Sequence, residues 1–144
     1  MSRKRQSSGR DAIFVDTGAW IALAVVRDPY HDRARDTWED LERRGVLLRT
    51  SIPVVLETFT YLDRKGSRDL ALRWKESLSQ VAMLHVVPCT VPDLEAAWLY
   101  FEDRRLHKLS LVDATSFVLM HRYKVHAAFS YDSHFGVAGF AMVG

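Results

Sequence analysis

Apolar positions along the chain fall into two alternating rhythms: short unbroken runs, and longer stretches spaced by three and four. Ala12-Ile13-Phe14-Val15 is a continuous apolar run ending at Asp16, the pattern of a parallel strand buried on both faces. Thr17 is placed to cap a short helix through Trp20, Ile21 and Leu23. After Pro29 a second helix carries Ala34, Trp38 and Leu41 at i, i+4 and i+7, and Gly45 stops it. Val46-Leu47-Leu48 predicts a brief second strand. Ser51-Ile52-Pro53 opens a third helix to about Arg64, with Gly66 past its end. Ser67 caps a fourth, with Leu70, Trp74, Leu78 and Val81 at helical spacing. Leu84-His85-Val86-Val87 reads as a strand, and Pro92 starts a fifth helix with Leu94, Trp98 and Phe101 on one side. Ser110 opens a sixth, almost wholly apolar from Leu111 to Met120 and therefore buried. Ala127-Ala128-Phe129-Ser130 is a strand leading to Tyr131-Asp132, and Gly139–Val143 adds a short edge strand.

Strands alternating with helices predict an α/β fold with a mostly parallel central sheet covered on both faces. At 144 residues the chain holds a single core. Residues 12–144 form the expected domain, and 1–11 a basic, flexible tail. That tail changes the charge picture. Arg3, Lys4, Arg5 and Arg10 leave 16 basic against 18 acidic residues for the remainder, so the overall +2 is a tail property. Asp16 interrupts the first apolar run, no small-residue cleavage site follows Val26, and no stretch of about 18 uncharged apolar residues exists. A soluble, cytoplasmic protein is expected, with no membrane span. The lone cysteine, Cys89, is read as a buried structural thiol.

In parallel sheets ligands gather at the carboxyl ends of strands. Two strands here end in aspartate, Asp16 and Asp132, although strand-end aspartates also cap helices. Glu57 has Val54 at i−3 and Tyr61 at i+4, which sets its carboxylate beside an apolar face. There it must be protonated, paired or metal-bound. Asp113 lies on the most apolar helix; Ser110-Leu111-Val112-Asp113 also matches a capping pattern, and both roles are compatible. Two carboxylates about 5 Å apart repel by roughly 3 kcal/mol at an effective dielectric near 20. Four converging acids therefore need protons or cations between them, and oxygen-only ligands suit Mg²⁺ or Mn²⁺. The six histidines are scattered and the cysteine has no partner, so no zinc site is expected. His134 lies near the proposed site as a possible phosphate contact.

At these residues the chain resembles the PIN-domain family, in particular VapC-like toxin ribonucleases of type II toxin–antitoxin systems. Phe14-Val15-Asp16-Thr17-Gly18-Ala19-Trp20 looks like the first family motif, and Thr50–Glu57 like the second, with its helix-borne glutamate. Leu109–Phe117 resembles the third, and Ala128–Phe135 the closing motif, where the family reads T-x-D-x-x-F. The resemblance implies a PIN-like three-layer α/β/α sandwich and a metal-dependent endoribonuclease. Asp16, Glu57, Asp113 and Asp132 would be its metal-site acids, with Thr17 and Ser130 as supporting hydroxyls. It further implies an RNA substrate, in-line attack leaving a 5′-phosphate and a 3′-hydroxyl, a cognate antitoxin protein and a homodimer. The antitoxin is expected as an amphipathic helix in an apolar groove near the helices of Trp38 and Tyr61. Arg104, Arg105 and Lys108, just before the Asp113 helix, are candidate RNA contacts, or ordinary surface charge.

The chain departs from rival acid-bearing folds. A phosphoacceptor receiver would want two adjacent acids after the first strand, and a dehalogenase-type phosphatase D-x-D; here Thr17-Gly18 follows Asp16. The remaining alternative is a catalytically silent PIN-fold module that only binds proteins.

Overall fold

The computed structural model describes residues 11–144, so the expected tail, Asp11 apart, lies outside the described residues. Five strands form one sheet: β1 (Ala12–Val15), β2 (Leu47–Ser51), β3 (Leu84–Val87), β4 (Ala127–Phe129) and β5 (Ala141–Val143). Every pairing is parallel, in the order β3-β2-β1-β4-β5. The helices are α1 (Thr17–Ala24), α2 (His31–Arg44), α3 (Ile52–Tyr61), α4 (Arg68–Leu78), α5 (Val91–Ala97), α6 (Leu111–Arg122) and the single turn α7 (His134–Val137). Phe14, Val15, Ala128 and Phe129 on the central strands are at most 1% exposed, which explains their unbroken apolar runs. Among the described residues no helix is long and apolar enough to cross a membrane.

The strand order positions the site. The first strand lies at the centre; the sheet builds outward through β2 and β3, then crosses to the other side of β1 for β4 and β5. The order therefore reverses between β1 and β4, and a crevice opens at the carboxyl ends of those two strands. Val15 pairs with Phe129, and the Asp16 amide donates to the Phe129 carbonyl at 3.1 Å. Asp16 and Ser130 thus leave the sheet side by side.

Several elements differ from the sequence reading. β2 continues past Leu48 to Ser51, because Arg49, Thr50 and Ser51 pair with β3 and the Thr50 hydroxyl donates to Val15 O at 2.9 Å. The third helix stops at Tyr61 and widens into a π-turn, Leu62–Gly66. α5 ends at Ala97 and tightens into a 3₁₀ turn, Trp98–Glu102. With three residues per turn rather than 3.6, Trp98 and Phe101 swing to the surface while Tyr100 packs edge-on against Phe117 at 5.1 Å. Asp93, in the first turn of α5, is 1% exposed; it closes a capping box with Thr90 and accepts from Arg122 Nε at 2.7 Å. Cys89 is only partly buried, in the loop after edge strand β3. Its thiol pKa is nonetheless raised by that burial and by the Asp93 charge.

Candidate active site

Each acid reaches the crevice from a different element. Asp16 follows β1 and starts α1, Glu57 sits mid-way along α3, Asp113 in the first turn of α6, and Asp132 just beyond β4. α3 packs against both α1 and α6, which carries Glu57 towards the other acids. Ser110 caps α6 by accepting the Asp113 amide at 3.0 Å. The cap thus uses the Ser110 side chain and the Asp113 backbone, leaving the Asp113 carboxylate free for another role. All four acids line one cleft of about 720 Å³.

Asp16 is 4% exposed. Its Oδ2 accepts from the Ser130 hydroxyl at 2.9 Å, and Ser130 Oγ in turn accepts the Asp132 amide at 3.0 Å. Its Oδ1 is buried with no hydrogen-bond partner, as is the Thr17 hydroxyl beside it. Burial pushes the Asp16 carboxyl up to about 7, against the Ser130 bond and the Thr17 amide that lower it; the Asp132 and Glu57 charges add to the rise. Asp113 is pushed higher, to about 9, by burial first, then by the Asp16 charge and a hydrogen bond with Asp132. Burial also raises Asp132, but the Asp113 bond and the His134 amide outweigh it and its pKa is lowered. At neutral pH a proton on Asp113 thus sits between carboxylates that would otherwise repel.

His134 joins this cluster. Its Nδ1 lies 2.9 Å from Asp132 Oδ1 and 4.0 Å from Asp113 Oδ2, and its Nε2 donates to the His107 carbonyl at 2.6 Å. Asp113, Asp132 and His134 each offer a ligand atom within 4.8 Å of the others. A ring nitrogen committed to a backbone carbonyl leaves the other facing the acids, the usual arrangement of a metal-binding histidine. The sequence reading placed His134 near phosphate; its only local sign of more was the one-residue gap to Asp132.

A cation fits these residues. The bare, buried Asp16 Oδ1, the oxygen-rich donor set and the proton held by Asp113 all mark a place where positive charge lowers the energy. Of the candidate RNA contacts, Lys108 lines the cleft, whereas Arg105 is paired with Asp103 at 2.7 Å and Arg104 is not among the lining residues. Asp28, Tyr30, Tyr61 and Tyr131 also line it, and the sequence reading gave none of them this position. The apolar groove containing Trp38 lies elsewhere, over Trp20 and Trp74, and is walled by α1, α2 and α4 rather than by α3. Tyr61 instead borders the acid cleft and a second apolar groove along α3.

A parallel α/β sheet with carboxylates gathered at its switch point places an acidic cleft where open α/β folds bind ligands. The chain belongs to the PIN domain family, which it matches over residues 13–141. VapC20 of Mycobacterium tuberculosis, named a 23S rRNA-specific endonuclease, is 34% identical over 132 residues, covering 91% of this chain and 97% of the relative. The crystal structure of VapC20, a sarcin–ricin loop cleaving toxin, superposes with a TM-score of 0.81 at 30% identity, covering 91% of this chain and 98% of that one. VapBC2 from Rickettsia felis, solved bound to a DNA fragment from its promoter, gives 0.69 at 9% identity over 92% and 97% of the two chains, a likeness of fold alone.

Proposed function

We propose that this chain is a metal-dependent endoribonuclease, the toxin of a toxin–antitoxin pair, acting in the cytoplasm on RNA with Mg²⁺ or Mn²⁺ held by Asp16, Glu57, Asp113 and Asp132. The observation that carries the reading is the unpartnered Asp16 Oδ1, buried where the acids converge. By likeness to VapC20, 23S ribosomal RNA is the first substrate to test. The bound cation would offset carboxylate repulsion, lower the pKa of a water and stabilise charge on the phosphodiester under attack.

The chain's own residues do the rest. Ser130 holds Asp16 through Oδ2 and leaves Oδ1 without a hydrogen-bond partner. Asp113 would give up its proton to a bound cation, and the His134 amide steadies Asp132 by donating to its Oδ1. Lys108 stands on the rim as a cation for RNA phosphate. The antitoxin would lay an apolar helix face over the Trp38 groove of about 370 Å³.

Incubation with 23S rRNA plus Mg²⁺ or Mn²⁺ should yield discrete fragments, absent in chelator and absent for Asp113→Asn. Intact RNA under all conditions, from a folded protein, would favour the silent binding module.

A further inference from the structure

We propose that Tyr30 and Tyr131, braced by Arg33, form a nucleobase-stacking platform on the wall of the acid cleft, selecting an unpaired nucleotide beside the cut. This inference rests on the nuclease reading above.

The two rings lie 4.2 Å apart at 10°, the one parallel pair among the described residues, where the other aromatic contacts are tilted or edge-on. Both line the same cleft as the acids, and Tyr131 immediately precedes Asp132. The lower ring is anchored: Tyr131 meets Phe129 of β4 edge-on at 6.1 Å. The upper ring is only partly covered, for Tyr30 is 41% exposed. Its backbone is fixed by the Tyr30 amide, which donates to Asp28 Oδ1 at 2.8 Å.

Arg33 completes the arrangement. Its guanidinium carbon is 5.4 Å from both ring centroids, so it stands beside the stack rather than on the outer face of Tyr30. A bond from Arg33 Nη2 to the Gly144 carbonyl, 2.8 Å, holds it there. The stack therefore presents an open, preorganised aromatic face on a cleft wall, with a cation at its edge.

Such a face suits the flat surface of a nucleobase. Bases within a duplex are already stacked on one another and cannot reach it; bases in loops and bulges can. The platform thus selects unpaired RNA and tolerates base identity, because every base has a π-face.

The test uses the full chain in chelator, where RNA binds without being cut, and a synthetic RNA stem–loop copying the 23S sarcin–ricin loop. One unpaired base at a time is replaced by fluorescent 2-aminopurine, or removed to leave an abasic nucleotide. Wild type and Tyr30→Phe should quench 2-aminopurine strongly at one position, and Tyr30→Ala and Tyr30→Leu should not. Those two variants should also bind about tenfold more weakly, the loss of one stacked base. The abasic RNA should cost wild type the same tenfold and cost Tyr30→Ala nothing further. Tyr30→Leu keeps apolar bulk against Tyr131 and guards against a loss caused by misfolding. If wild type binds and cuts the loop but Tyr30→Ala and Tyr30→Leu match it in affinity and quenching, the platform falls and the nuclease reading stands. A wild type that neither binds nor cuts any RNA overturns both.

Discussion

Asp113 is the cleft carboxyl pushed furthest from its ordinary value. Its carboxyl is pushed up to about 9 and that of Asp16 to about 7, both chiefly by burial. In the metal-free protein the fold therefore keeps protons that the unfolded chain releases near pH 4. The stability this contributes is complete below the unfolded pKa and is lost as pH rises through about 7 and about 9. The loss has a slope of at most about 1.4 kcal/mol per pH unit for each retained proton. Melting temperature in chelator should thus fall between pH 5 and 9, and Mn²⁺ should restore it. The same protons would compete with a bound cation, so Mn²⁺ affinity by calorimetry should tighten about tenfold per pH unit between about 7 and 9. Asp113→Asn keeps the size of the side chain and the Ser110 cap but removes the charge. It should lower cleavage by about 100-fold or more, leave the melting temperature equal or higher in chelator, and flatten its pH dependence. Lowered stability with cleavage intact would falsify the assignment of Asp113 to the metal site.

At the level of elements, the link between α5 and α6 combines a cap with an ion pair. Asp93, 1% exposed, accepts from the Thr90 amide and hydroxyl at 2.9 Å each and from Arg122 Nε at 2.7 Å. Arg122 is half in solvent, so losing Asp93 leaves no buried unpaired charge, only the lost cap and bonds. Asp93→Ala should cost about 2–3 kcal/mol by urea unfolding, with cleavage per folded molecule unchanged. Arg122→Ala is the informative comparison, because it strands a buried carboxylate and should cost at least as much. A variant as stable as wild type would show that α5 holds its place by apolar packing alone.

For the whole molecule, two apolar surfaces lie open. The groove over Trp20 and Trp74 has Trp38 on its wall, with Glu42 and Arg73 beside it. Trp38→Ala should weaken capture of a cognate antitoxin helix about tenfold or more, read by tryptophan fluorescence, while RNA cleavage persists. That separation is expected because the groove and the acid cleft share no wall residue. A second patch exposes Val91, Trp98, Leu99 and Phe101, with Leu99 at 65%. Light scattering at tens of micromolar should give twice the 16.5 kDa chain mass, and Leu99→Glu should lower it. A strictly monomeric wild type would remove the homodimer.

How much of this was legible in the chain depends on the range of the physics involved. Apolar runs of period one and spacings of three and four are local, so the strands and most helices could be read directly. Asp113 stood out for the same reason: a carboxylate on a largely apolar helix is costly to bury, and that shows in a few residues of sequence. The Ser110 cap was equally local. What required the tertiary structure was proximity across the sheet. The order β3-β2-β1-β4-β5 sets Asp16 beside Ser130, 114 residues away, and Arg33 beside Gly144, 111 away. The same order lays Tyr30 on Tyr131 and brings His134 to Asp113. No periodicity encodes these meetings, because they follow from which strand edge each segment takes. The 3₁₀ turn that exposes Trp98 and Phe101, the extension of β2 through Arg49, and the α4 wall of the Trp38 groove were decided there too, by pairing and packing partners far along the chain.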